Sequence, residues 1–193
     1  MKRSFHQLLV IIVMGLTLLA ACSSTQRPLF IDTELSAPPA LDLNKTRFQW
    51  QLQDQRSQPY ALHISKGTDR RSYKNKLNLP ESLQQQLQYM FTLRGAVIDT
   101  NALTTLQFNV LELHAKAKQH PLDHEVHSSI KVELNIRSTT GVYRKRFQGK
   151  SSYTAPFKVD HAMVERELKK LTEQVFTDIL NDTHWQAYLR SHR

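Results

Sequence analysis

The densest group of side chains able to do chemistry lies between residues 114 and 127, where His120, His124 and His127 stand near His114, Asp123 and Glu125. Imidazoles and carboxylates at such spacing can ligate a divalent metal, which would make the region the site of a metal-dependent hydrolase. Pro121 argues against the helix that an H-E-x-x-H zinc motif needs, and a polar hairpin joining two strands explains the same residues. Nothing else reads as a reaction centre. The five glycines are scattered singly, so there is no Gly-rich phosphate loop, and no G-x-S-x-G nucleophile elbow occurs. Asp54 and Arg56 are spaced for a surface ion pair, a turn or a contact with a partner. One cysteine remains, Cys22.

Cys22 follows a leader with a basic start at Lys2 and Arg3 and an apolar run from Leu8 to Leu19. That run is too short to span a bilayer as a helix, which takes roughly 20 residues. The order Leu19-Ala20-Ala21-Cys22 resembles the bacterial lipobox. The resemblance implies cleavage between Ala21 and Cys22, diacylglycerol on the thiol and a third acyl chain on the new amino terminus. Two chains already give stable anchoring, at about 0.8 kcal/mol per buried methylene. Ser23 stands where an inner-membrane sorting signal would place Asp, so the expected location is the outer membrane, with the domain facing the periplasm. Residues 1–21 are then the signal peptide and 22–44 a lipidated tether carrying Pro28, Pro38 and Pro39, extended or else shortened by Leu29, Ile31, Leu41 and Leu43 lying on the domain surface; a single domain occupies 45–193.

Acylation of the only thiol removes disulfides from the mature chain and leaves stability to core packing. Without Lys2 and Arg3 the basic residues number 24 against 17 acidic ones, a mature charge of +7. An exported domain meets no nucleic acid, so the anions within reach are lipid head groups, glycolipid phosphates and acidic envelope proteins.

Hydrophobic periodicity supplies the elements that must position these groups. Phe48, Trp50 and Leu52 alternate as one strand, and Tyr60, Leu62 and Ile64 as a second after Ser57-Gln58-Pro59, a hairpin-like turn. Lys66 to Lys76 reads as an exposed loop or frayed strand ends. Leu83, Leu87, Met90 and Phe91 fall at helical spacing, with Pro80 in the first turn and Gly95 at the end. A strand from Thr104 to about His114 changes face near Leu111, which predicts a bulge there. Val126 to Ile136 is the cleanest alternation; Ser138 to Gly141 is a turn, and Tyr143, Phe147 and Tyr153 mark the next strand. Asp160 is placed to cap a helix with the stripe Val164, Leu168, Leu171, Val175 and Ile179, and with Glu165 and Lys169 as a pair one turn apart. Thr183 is placed to cap a short helix with Trp185, Tyr188 and Leu189 inward.

This order predicts an α+β two-layer sandwich: an antiparallel-rich sheet of about four to five strands, two main helices on one face, and a short C-terminal helix. The sheet's other face would carry Lys131, Arg137, Arg144, Arg146 and Lys150, with Glu133 among them, as a polar and mostly basic surface, solvated or docking something acidic.

The lipobox, the strand running into Asp54-Gln55-Arg56-Ser57, the Leu83/Leu87 helix ending at Leu93-Arg94-Gly95, and the Thr177-Asp178-Ile179-Leu180 helix with its aromatic tail resemble the YajG lipoproteins of Gram-negative bacteria. The similarity covers nearly the whole chain. It implies an anchored α+β domain with no assigned activity, cofactor or catalytic residue. The expectation is a non-catalytic binding or accessory lipoprotein whose partner is an envelope protein or an anionic glycolipid, against the alternative of the metal-dependent hydrolase at His114 to His127.

Overall fold

A computed structural model describes residues 27–76 and 79–191. Ala21, Cys22 and Ser23, with the leader, lie outside the described residues. Three strands come first, β1 (Arg47–Asp54), β2 (Tyr60–Lys66) and β3 (Asp69–Lys74), and then helix α1 (Leu79–Leu93). After the short β4 (Val97–Ile98), the long strands β5 (Thr105–Gln119), β6 (Asp123–Arg137) and β7 (Val142–Pro156) lead into α2 (His161–Asn181) and α3 (Thr183–Ser191).

The three long strands zigzag antiparallel and build most of the sheet. β6 pairs along its whole length with β5 on one side and β7 on the other. Its alternation puts Val126, Ile130, Val132, Leu134 and Ile136 on the core side, at 0–1% exposure. The register of β5 against β6 shifts between Val110 and Glu112, so Leu111 is the predicted bulge. An extra residue there turns Leu113, Ala115 and Ala117 inward after Leu106, Phe108 and Val110.

On the other edge of β5, the expected hairpin between the first two strands is not formed. β1 and β2 run in the same direction, one after the other, each parallel to β5. β1 pairs up to Asp54 beside Val110, and β2 resumes with Leu62 beside Ala115. The segment between them skips the height of the Leu111 bulge. Lys66 to Lys76, expected as a loop, contains β3, which folds back antiparallel on β2 after Gly67, at φ 56°. The sheet is therefore mixed and seven-stranded rather than antiparallel-rich with four or five strands. Strand periodicity reports burial of one face but not which strand lies alongside, so the α+β class was readable and the pairing was not.

Aromatic contacts join the sheet to its helices. Phe108 of β5 stacks on Phe91 of α1 at 6.1 Å and lies 6.5 Å from Phe176 of α2. Trp50 is half-buried: its ring meets Phe91 edge-on at 5.2 Å while Nε1 donates to Gln88 Oε1. The α2 stripe is buried as spaced, and Asp160 accepts from the Ala162 N–H as its cap. Two details differ. The one-turn pair on α2 is Lys169 with Glu173, because Glu165 accepts from the Phe30 N–H. Asp182 rather than Thr183 caps α3, accepting from the His184 N–H.

The segment expected as a tether is packed on the domain from Leu29 onward. Leu29, Ile31, Leu41 and Leu43 are at most 2% exposed. The backbone between them is held by helix side chains: Gln86 of α1 bonds Leu35 N and Thr33 O, and Glu165 and Glu173 of α2 accept from Phe30 N and Glu34 N. Each buried aliphatic side chain contributes about 1.5–3 kcal/mol. Their spacing carries no helix or strand period, so sequence leaves open whether they ride in the tether or lie on the domain; the fold buries all four.

Candidate binding face

The sheet face opposite the core is polar on every long strand. Cross-strand register sets its rows: Asn109, Glu133 and Arg146 lie side by side, as do Gln107, Asn135 and Arg144. Glu133, only 8% exposed, accepts from Arg146 Nε at 2.6 Å and Asn135 Nδ2 at 3.1 Å, and Arg144 Nε approaches it at 3.8 Å. The bond from Asn135, then that from Arg146, hold its carboxyl below the usual range. Gln107 Nε2 donates to Gln53 Oε1 and Asn109 Oδ1, continuing the network onto β1. Lower on the face, Glu112 accepts from Lys131 Nζ at 2.5 Å and Ser129 Oγ at 3.0 Å.

Three of the five residues expected to form a basic surface, Lys131, Arg144 and Arg146, are thus matched to carboxylates. Arg137 is exposed at the end of β6, next to the turn. Lys150 lies further along β7, in a different setting. It borders a shallow concavity of about 420 Å³ with Lys116, His114, His127, Ser129 and Ser152. A neighbouring hollow of about 240 Å³ opens at the β1–β2 interruption and shares His114 and Lys116, adding Arg56 and His63. Bulge and interruption fall at one height, and Leu111, Arg56 and Ser57 line this second hollow. Arg56 is occupied there, gripping Asp54 through Nε and Nη2 at 2.7 Å each, which lowers the Asp54 pKa. Asp54 and Arg56 are an ion pair, as one of their readings held, but across a strand break rather than in a hairpin. Lys116 and Lys150 form no ion pair among the described residues.

Positive charge free to meet a ligand is therefore displaced toward the β5–β6 turn. Lys116 and Lys118 escaped the sequence reading because the strand was expected to end at His114, and His63 because nothing local places β2 beside β5. Ala115 and Ala117 mark its inner face too weakly for periodicity to extend it. The His-x-Lys-x-Lys alternation of residues 114–118 was the available signal.

The expected histidine group is split by the same alternation. His114 and His127 are on the polar face, His120 is in the turn, and His124 points inward at 2% exposure, its Nδ1 donating to Phe157 O at 3.2 Å. His127 pairs with Glu125 at 3.0 Å, and Asp123 is exposed at the start of β6. No three metal-ligating side chains converge among the described residues. The strand pleat separates them, which corrects the reading of His114 to His127 as one metal site.

His63 and His114 lie 6.4 Å apart, ring to ring. Burial, then the charge of Lys116, lowers both from the ordinary 6.5. Because the unfolded chain binds these protons more readily, stability is complete above that value and falls as pH drops below it. Glu112 and Glu133, lowered from 4.5, add stability present above 4.5 and lost on further acidification. Urea titrations between pH 8 and 3 should show two successive losses, and H63Q/H114Q should remove the first; a single loss below 4.5 in the unmodified chain contradicts the assignment.

Fold and site together define an α+β domain whose mixed sheet presents a polar face. Among the described residues no helix is long and apolar enough to cross a membrane. The chain belongs to the YajG family of uncharacterized lipoproteins, whose model matches residues 37–190. Among curated proteins none matches it. In structure it is similar to protein XCC0632 of Xanthomonas campestris, from the DUF330 family, at TM-score 0.57 and 11% identity over 87% of this chain and 100% of the other. An uncharacterized protein follows at 0.48 and 14%, covering 80% and 97%. A Helicobacter pylori protein described as a homolog of a neuraminyllactose-binding hemagglutinin stands at 0.38 and 12%, covering 82% and 98%. At these identities the first likeness concerns the fold alone, and the other two carry nothing further.

Proposed function

We propose that this chain is a non-catalytic outer-membrane lipoprotein, acylated at Cys22 with its domain in the periplasm, that binds phosphate groups of an anionic glycolipid on its open sheet face. α1 and α2 both cover the other face, meeting at Phe108, so the polar face stays accessible. The observation that carries the reading is the concavity at Lys116 and Lys150, where two lysines without acidic partners line one hollow with the Ser152 hydroxyl. Family membership supports membrane association.

Lysines near an anionic surface contribute about 1 kcal/mol each, and reversing them adds repulsion. K116E/K150E in the full mature chain is expected to weaken binding to detergent-dispersed lipopolysaccharide about 30-fold or more in calorimetric titration. R144Q/R146Q, which removes cations already matched to Glu133 without adding negative charge, should cost much less. Equal affinities for K116E/K150E and the unmodified chain would reject the reading.

A further inference from the structure

We propose that the end of the domain carrying Leu122 and Phe157 is seated directly on the membrane that holds the acyl chains of Cys22. The docking rests on the lipid anchor at that residue.

Register and chain length decide which surface can reach the bilayer. Leu29 lies parallel to Asn75, its N–H donating to Lys74 O and its carbonyl accepting from Lys76 N. Arg27, two residues earlier, is then at the height of Tyr73, which pairs with Leu62 and through it with Ala115. Ala115 stands much nearer the Gln119 end of β5 than the Thr105 end. At about 3.3 Å per residue, the strand runs about 13 Å from Ala115 to Gln119 and about 33 Å back to Thr105. Cys22 precedes Arg27 by five residues. Fully extended, that stretch reaches at most about 18 Å. The acylated residue can meet a membrane lying against the Gln119 end, and it falls short of one at the Thr105 end.

What the near end presents suits that contact. Leu122 in the β5–β6 turn and Phe157 after β7 are 82% and 78% exposed, and the two loops are joined by the Phe157 N–H donating to Leu122 O at 2.8 Å. Phe157 has φ 66°, a left-handed conformation costly for a bulky side chain. Its carbonyl is clamped by Gln119 Nε2 at 2.8 Å and by the buried His124. The fold thus spends three hydrogen bonds fixing an aromatic ring outward in solvent. Exposed Lys158 adjoins the tip, and exposed Lys66, Arg70 and Lys118 lie at the same end of the sheet. Of the acidic groups nearby, Asp69 is paired with Arg71 and Asp160 caps α2, leaving Asp123 and Glu125 against the four cations. Apolar side chains flanked by cations are the composition of an interfacial contact with an anionic bilayer. Leu103, equally exposed at 79%, lies at the far end, beyond the anchor's reach.

The test reconstitutes the acylated mature chain in vesicles of phosphatidylethanolamine with a minority of phosphatidylglycerol, brominated in the acyl chains, and compares L122W with L103W. Trp50 and Trp185 give a background read from the unmodified chain. The emission added by L122W should be quenched about twofold or more, as for a ring in the headgroup–acyl boundary, and that added by L103W should be unaffected. Equal quenching at both sites, or quenching of L103W alone, overturns the docking. Adding F157G should reduce quenching at L122W without lowering the thermal midpoint, since glycine relieves the left-handed backbone. A midpoint lower by more than about 3 °C would instead assign Phe157 to packing and overturn its part in docking. Intact mass separates the two readings. A chain without acyl groups overturns anchor and docking together, whereas an acylated chain with unquenched L122W overturns docking alone.

Discussion

Replacing Trp185 with Ala is expected to lower the free energy of unfolding by about 4 kcal/mol, the largest loss among single substitutions considered for this chain. Trp185 is fully buried, among the bulkiest side chains at zero exposure, and Nε1 donates to Ile179 O at 2.7 Å. Truncation leaves a ring-sized cavity and removes a partner from a carbonyl in the last turn of α2. The damage extends beyond α3. Gln186 beside it bonds Leu180 O and the Asp42 N–H, so α3 ties the end of α2 to the packed N-terminal segment. For a chain of this size the loss corresponds to roughly 8–16 °C in thermal midpoint. W185F, which keeps the volume of one ring but not the donor, should recover more than half of it. Calorimetric melting of the three chains reads both values. A loss under about 1 kcal/mol in W185A would mean that α3 is not docked in solution.

Gly149 to Val is the second large effect, about 3 kcal/mol, and it acts by overpacking instead of cavity formation. A Cβ at Gly149 would stand 2.8 Å from both Leu171 Cδ1 and Val175 Cγ2, so α2 must shift or two buried rotamers must change. Position 149 is a point of very close approach between α2 and β7. Serine at 151 on the same face continues the run of small residues there. G149A should cost less than half as much, because side-chain tips yield more easily than backbone. The paired control L171A/G149V removes one of the two clashing side chains, and its loss should be smaller than the sum of the single losses. Urea unfolding of the four chains measures this coupling; strict additivity would show that Gly149 and Leu171 do not meet.

Much of the architecture could be read from local pattern. The β6 alternation, the bulge at Leu111, the α2 stripe with its Asp160 cap and the left-handed Gly95 all appear in place. Each depends on residues within one element, where side-chain direction follows the backbone period. The β1–β2 arrangement was misread because Ser57-Gln58-Pro59 permits either a reversal or a break. Only pairing with β5, far along the chain, selects the break. The binding face shows the same division. That β6 and β7 carry a polar, basic side was legible, but which cations remain uncompensated was not. Glu112 and Glu133 meet Lys131, Arg144 and Arg146 across strands.

What the sequence by itself determined is the family, the α+β class, the faces of the long elements and the lipobox-like Leu19 to Cys22, because each is written in residue types at short range. The tertiary structure alone decided three things: that Leu29, Ile31, Leu41 and Leu43 are buried in the core and do not ride in a spacer, that the histidines divide between two faces, and that free positive charge gathers at Lys116 and Lys150. All three turn on contacts between distant segments, whose geometry is set by strand register rather than by any local spacing.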